Sequence, residues 1–196
     1  MPPPSWLTTS AHQDIRVPLG DIAPGRLIGG GAAADVYETS YKGRMVAFKR
    51  LRIHGTASED VEHLLRTARR ELSALLACKH VNIVQLHGVV WDQPSSTLGL
   101  LLELAPHASL REYLNNTPAE IVERQDRQVC LASGMASAMA YLHELNVLHH
   151  DFKSLNVREN RSKLATLVDA VCGFSTHALV PNLVGRSSSS SASPGS

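Results

Sequence analysis

Ten residues, LHHDFKSLNV (Leu148 to Val157), bring together two adjacent histidines, an aspartate, a lysine and an asparagine. Side chains of these types do chemistry in two main ways. Imidazoles and a carboxylate can hold a metal ion, whereas a carboxylate, an ammonium and an amide can orient and charge-balance a reacting centre. A metal site would draw on His143, His149, His150 and Asp151. That is the weaker alternative. Adjacent histidines project in different directions, and no H-x3-H pair or cysteine lies close enough to complete a ligand set. His149 on its own has a plainer role open to it, as a histidine packed in a core.

Two further charges stand where charges are costly. Leu64, Ala68, Leu75 and Cys78 form an apolar stripe at helical spacing, and Glu71 falls on it. Either Glu71 lies at the stripe's edge and reaches water, or it is buried and needs a cation. Lys49 closes the apolar run MVAFK and has the same problem with opposite sign. If the helix packs on the strand, the two solve each other, so an ion pair between Lys49 and Glu71 is predicted. Upstream, IGGGAAADV (28–36) sets three glycines between two strand-like runs. Backbone N–H groups in such a turn can approach phosphate oxygens without interference from a Cβ. A Gly/Ala-rich turn is usually only a turn. This one gains meaning from its order in the chain, ahead of a strand lysine and then a helix glutamate.

The elements that must position these groups are legible in outline. GRLIGGG and DVYETSY read as strands around the glycine turn, and GRMVAFKRLRI (43–53) as a third, opened by a turn at Lys42–Gly43. A helix comes next, with Thr56 as N-cap and Glu59 completing a capping box. IVQLHGVVW and TLGLLLEL read as two more strands joined by DQPSS. After Glu103–Leu104–Ala105–Pro106 the pattern turns helical: SLREYLNN is a short helix and 123–146 a long one, with Val129, Ala132, Ala136 and Met139 at helical spacing. A length of 196 residues suffices for one domain or two small lobes, and a net charge of +1 points to neither nucleic acid nor an anionic membrane. The longest apolar block, LGLLLELA, contains Glu103 and is too short to span a bilayer. No signal peptide is apparent. The three dispersed cysteines read as reduced thiols, which suits a cytoplasmic or nuclear protein.

Taken in order, these motifs resemble a eukaryotic protein kinase domain. Gly29, Gly31, Ala34 and Val36 match its glycine loop, Val46–Ala47–Phe48–Lys49 its V-A-x-K strand, and Glu71 its helix glutamate. HVNIVQLHGVV resembles H-x-N-I-V-x-L-x-G, and YLHELNVLHHDFKSLNV resembles Y-L-H-x-x-x-I-x-H-R-D-L-K-x-x-N-I. The resemblance implies an α+β, two-lobe kinase-like fold with a β-rich small lobe and an incomplete helical large lobe. It implies that Asp151 accepts the proton of a substrate hydroxyl, that Lys153 and Lys49 neutralise phosphate charge, and that Glu71 holds Lys49. ATP would lie against Ile28, Gly29, Gly31, Val36, Ala47 and Lys49, with Leu102 as gatekeeper and backbone at Glu103 and Ala105 reading adenine. Asn156 and Asp169 would hold Mg2+. Lys153 is the form found in Ser/Thr kinases, and DFKSLN is similar to the tyrosine-kinase-like group among them. The implied partners are ATP and a protein substrate.

The sequence also departs from the family. Ala34 replaces a glycine, His150 the arginine of H-R-D, and Arg158 an apolar residue beneath adenine. Family spacing places the metal aspartate at Asp169, but Ala170 and Val171 stand where Phe and Gly are usual; in a second register, VCGFST, no metal aspartate exists. The expected organisation is a disordered 1–15, a small lobe over 16–103, a partial large lobe over 104–183 and a Ser-rich disordered tail over 184–196. Two functions stand as expectations: a Ser/Thr protein kinase by family, or a non-catalytic nucleotide-binding or regulatory fragment. An incomplete large lobe would leave apolar helix surface for a partner or for self-association.

Overall fold

A computed structural model describes residues 4–8, 13–31, 34–52, 58–105, 109–122, 124–158 and 166–167. Six strands form one sheet: β1 (Arg16–Val17), β2 (Arg26–Gly30), β3 (Ala34–Tyr41), β4 (Arg44–Leu51), β5 (Leu86–Asp92) and β6 (Thr97–Glu103), in the spatial order β1-β5-β6-β4-β3-β2. All neighbours are antiparallel except β1 and β5. Lys42 and Gly43 both take positive φ, 49° and 73°, which is the twist that a two-residue hairpin between β3 and β4 requires.

Strand alternation divides β4 between two cores. Val46 and Phe48 join Val17, Val90 and Leu101 on one face of the sheet. Ala47 and Leu51 face the other way, toward Ala68, Leu72 and Leu75 of helix α1 (Ser58–Ala77). The tight pairing of β4 with β6 depends on Gly99, where a Cβ would stand 2.4 Å from the Phe48 ring and 2.8 Å from the Lys49 carbonyl oxygen.

The helical part comprises α2 (Leu110–Asn116), α3 (Ala119–Val122) and α4 (Gln125–Glu144), then the short pair β7 (Val157–Arg158) and β8 (Thr166–Leu167). Ser109 and Glu112 cap α2 reciprocally in a capping box. Helix α1 contributes Ala74 to the helical core, where it and Cys78, just beyond the helix end, meet Leu131, Ala138 and Leu142 of α4 and Val157 of β7. Thus α1 packs on the sheet with one face and on α4 with the next. This is the α+β arrangement of a β-rich lobe and a helical lobe that the resemblance implied.

Three expectations are corrected. The segment 1–15 is not disordered throughout: Ser5–Leu7 forms a 3-10 turn, and Leu7 is fully buried against the sheet's inner core. Its composition argued for disorder, but one leucine in a pocket outweighs three prolines. Strand five begins at Leu86, because Ile83 is held in a turn by its N–H to the His80 carbonyl, although Ile83 and Val84 are buried. The core face of α4 is Leu131, Ala138 and Leu142, whereas Val129 is 58% exposed and Ala132 and Ala136 face solvent. The Thr56 cap, the metal-aspartate segment around Asp169 and the tail 184–196 lie outside the described residues.

If Leu7 anchors its segment, Leu7→Ala should lower the unfolding free energy by about 2–5 kcal/mol, the range for emptying a buried leucine site. Urea denaturation of the two proteins measures it. A change within about 0.5 kcal/mol, the size expected of surface substitutions, would show that the segment does not dock.

Candidate active site

The two lobes enclose a cleft of about 470 Å3. Its roof is the glycine hairpin, with Ile28, Gly29, Gly31 and Val36 on its lining. Its back wall is β4 and β6, through Ala47, Lys49 and Leu102, and the link at Glu103 and Ala105 closes one end. Asp151, Lys153 and Asn156 form the floor. One small volume therefore collects residues from separated stretches of sequence.

Lys49 reaches the cleft because it lies two residues after Ala47 on the same face of β4, opposite Val36 on one side and Leu100 on the other. Its Nζ donates to Glu71 Oε1 at 2.8 Å. The side chains are 18% and 10% exposed, so the pair is well shielded from solvent. Of the two readings of Glu71, burial against a cation is the one observed. Glu71 stands behind Lys49 and does not itself line the cleft.

The floor is set by the end of α4. Asn146 adopts φ 57°, the Asn146 N–H donates to the His143 carbonyl, and the Val147 N–H donates to the Leu142 carbonyl. This pair of bonds stops the helix and turns the chain back beneath the sheet. His149 is then buried at 2% exposure, with its ring edge-on to Phe152. His150 takes a left-handed φ of 55°, an uncommon conformation outside glycine. The Asp151 N–H donates to the His149 carbonyl at 2.7 Å, which closes the turn and directs the carboxylate into the cleft.

Asp151 Oδ2 accepts from Lys153 Nζ at 2.7 Å and from Asn156 Nδ2 at 2.9 Å. The bond from Lys153, then that from Asn156, holds the Asp151 carboxyl below its ordinary pKa. Among the described residues no hydrogen bond reaches Asp151 Oδ1. Asn156 is buried with its amide nitrogen committed to Asp151, so its oxygen is the atom left to face a cation. Asp169, the other expected metal ligand, lies outside the described residues.

The histidine alternative does not form: one histidine is buried, its neighbour is exposed, and no group of three His, Cys, Asp or Glu side chains converges among the described residues. Two features were not anticipated, further lining residues and a buried ion pair beside the cleft. Gly30, Ala34 and Leu104 also line the cleft. Arg158, placed beneath adenine by the resemblance, does line the cleft, because Val157, its neighbour on β7, points to the core. Asp35, at the start of β3, is buried and paired with Arg52. The alternation of β7 accounts for Arg158's direction, but nothing local marks Asp35 and Arg52 as partners.

The protein kinase domain family matches this chain over residues 22–172, and the chain belongs to that family. A probable serine/threonine-protein kinase of Dictyostelium discoideum is 32% identical over 135 residues, covering 68% of this chain and 14% of that protein. A probable LIM domain-containing serine/threonine-protein kinase of the same organism is 32% identical over 151 residues, covering 76% and 22%. A leaf rust 10 disease-resistance locus receptor-like protein kinase-like protein of Arabidopsis thaliana is 28% identical over 155 residues, covering 78% and 24%. The chain thus spans less than a quarter of the length of these relatives. The two Dictyostelium relatives carry the name serine/threonine-protein kinase, and protein kinases as a family use ATP and a divalent metal.

Two outcomes are expected. Removing one partner of a buried ion pair costs about 3–5 kcal/mol, less where water enters, so Glu71→Gln should destabilise the fold measurably, and adding Lys49→Met should cost much less than the sum of the single changes. A double-mutant cycle in urea tests the coupling. For Asp151, a depressed folded pKa means that its contribution to stability is complete above the ordinary carboxylate value of 3.8 and is lost only as pH falls through the lower, folded value. Carboxyl NMR titration should show Asp151 ionised throughout pH 5–8, and Lys153→Met should move its midpoint upward.

Proposed function

We propose that this chain binds Mg·ATP in the cleft and carries the residues for transferring the γ-phosphoryl group to a protein Ser or Thr hydroxyl. The observation behind this is the floor of the cleft: an ionised Asp151 with one free oxygen, beside Lys153 and facing Lys49 across the cavity. The glycine hairpin, Lys49 and the acceptor oxygen of Asn156 suit a triphosphate with its metal. Bound ATP supplies the phosphoryl group and Mg2+ supplies positive charge on the phosphate oxygens.

The chain's own groups hold and charge-balance the reactants. Asp151 Oδ1 accepts a hydrogen bond from the attacking hydroxyl. As the oxygen–phosphorus bond forms and the γ-phosphorus–oxygen bond to ADP breaks, the hydroxyl proton passes to that carboxylate and ADP leaves with the bonding pair. A carboxylate with a lowered pKa is a weak base, so orientation is the larger part of its contribution. Lys153 offsets negative charge on the transferred group. Lysine at this position supports Ser/Thr as acceptor, and DFKSLN supports the tyrosine-kinase-like group.

A second reading, nucleotide binding without turnover, has one observation in its favour: Arg158 puts a guanidinium on the cleft lining where the family carries an apolar residue. Titration with a fluorescent ATP analogue, with and without Mg2+, and phosphate transfer to a generic Ser/Thr peptide separate the two. Lys49→Met should weaken binding roughly tenfold or more, the worth of one charge-assisted phosphate contact. Asp151→Asn should abolish transfer and leave binding intact. Binding without transfer in the unsubstituted chain supports the second reading, and affinity unaltered by Lys49→Met overturns both.

A further inference from the structure

The roof of the cleft has three consecutive glycines, yet the family motif accounts for only the first and third. Gly30 is the unexplained one. It pairs across the hairpin with Asp35, and a Cβ on Gly30 would stand 3.1 Å from Asp35 Oδ1 and 3.6 Å from Arg52 Nη2. Asp35 is buried at 8% exposure. Arg52 comes directly after the last residue of β4 and reaches diagonally back to it, with Nε donating to Asp35 Oδ2 at 2.8 Å and Nη2 donating to Asp35 Oδ1. This is a two-point, fork-like pair, which fixes direction as well as distance.

Neither Asp35 nor Arg52 lines the cleft. Their effect on it runs through the hairpin. β2 is an edge strand with a register shift between Leu27 and Gly29, and beyond it the loop end pairs with β3 alone, at Gly29–Val36 and Gly30–Asp35. The ion pair ties the strand that returns from the loop to the end of β4, three residues beyond Lys49, and lies against Gly30.

We propose that the Asp35–Arg52 pair is a latch that fixes the glycine hairpin over the cleft, and that Gly30 is glycine to leave room for it. The part of this that concerns nucleotide rests on the ATP-binding reading above; the part that concerns the hairpin does not. Asp35 and Arg52 are positioning residues. Gly30→Ala pushes a methyl into the carboxylate and loosens the latch from the other side.

Hydrogen exchange in the nucleotide-free full chain decides the latch. Asp35→Asn and Arg52→Gln should each speed amide exchange in 26–30 and 34–38 by roughly tenfold, as expected when a local opening is eased by about one ion pair, with exchange at Val89–Val90 and Leu100–Leu101 unchanged. Arg52→Lys should resemble Arg52→Gln, because a lysine cannot make two parallel bonds to one carboxylate. The charge swap Asp35→Arg with Arg52→Asp should recover part of the protection. Binding of the fluorescent ATP analogue should weaken about fivefold in Asp35→Asn, Arg52→Gln and Gly30→Ala. Unchanged exchange in the hairpin, or an equal rise across the whole sheet, overturns the latch. Faster hairpin exchange with unaltered affinity, where Lys49→Met does weaken binding, overturns its link to the nucleotide. If Lys49→Met has no effect either, the ATP-binding reading is what failed, and the exchange result still decides the latch.

Discussion

The site depends on one exchange of charge between two elements. Lys49 cannot remain on an apolar strand, nor Glu71 on an apolar helix face, without a partner, and each is the other's. Joining them settles how α1 lies on the sheet. With Glu71 turned to β4, Ala68, Leu72 and Leu75 pack on the sheet, and Ala74 and Cys78 are left to pack on α4. Burial raises the Cys78 thiol pKa to about 11, so it acts there as a small apolar side chain. One ion pair thus fixes the orientation of a helix shared by both cores, and the cleft is the space those cores leave between them.

Within the cleft, charge is placed by backbone geometry more than by the chemistry of neighbouring side chains. Strand alternation sends Lys49 and Arg158 inward. A left-handed residue at His150 and the two bonds that end α4 aim Asp151. Side chains then set its state: Lys153 and Asn156 both bind Oδ2, which keeps the group ionised and leaves the other oxygen open. The loop thereby separates two tasks, holding the carboxylate with one atom and presenting it with the other.

How much of this the sequence disclosed depends on how local each signal is. The strand MVAFK and the stripe around Glu71 carry their meaning within a few residues, and their pairing could be foreseen because a buried charge demands an opposite one. The core face of α4 could not. Its helix has alanine, serine or glycine on every side, so Val129, Ala132, Ala136 and Met139 satisfy helical spacing as well as Leu131, Met135, Ala138 and Leu142 do. Only tertiary neighbours choose between them. Leu7 was missed for the opposite reason: composition is an average, and a single side chain that fills a pocket does not move the average. Nothing local in the sequence pairs Asp35 with Arg52, since both lie at strand ends and only the diagonal offset between β3 and the end of β4 brings them together.

The same distinction between backbone and side chain separates the family departures that matter from those that do not. His150 replaces an arginine, but its side chain is exposed, and the contribution of this position to Asp151 is its φ of 55° together with the bond from the Asp151 N–H to the His149 carbonyl. Those are main-chain properties, which histidine tolerates better than most residues. The carboxylate can therefore hold its place without the arginine. Arg158 is different. Its position on β7 sends whatever side chain it carries into the cleft, so the substitution changes the lining itself. A guanidinium there also lowers the pKa of Glu112, after the larger effect of the Ser109 bonds, so its field reaches the cap of α2. A planar cation can stack on a purine face or resist losing water beneath one, whereas an aliphatic side chain has only its area to offer. The position of Asp151 is thus held by main chain that keeps the family's form, and the lining of the cleft changes where Arg158 departs from it.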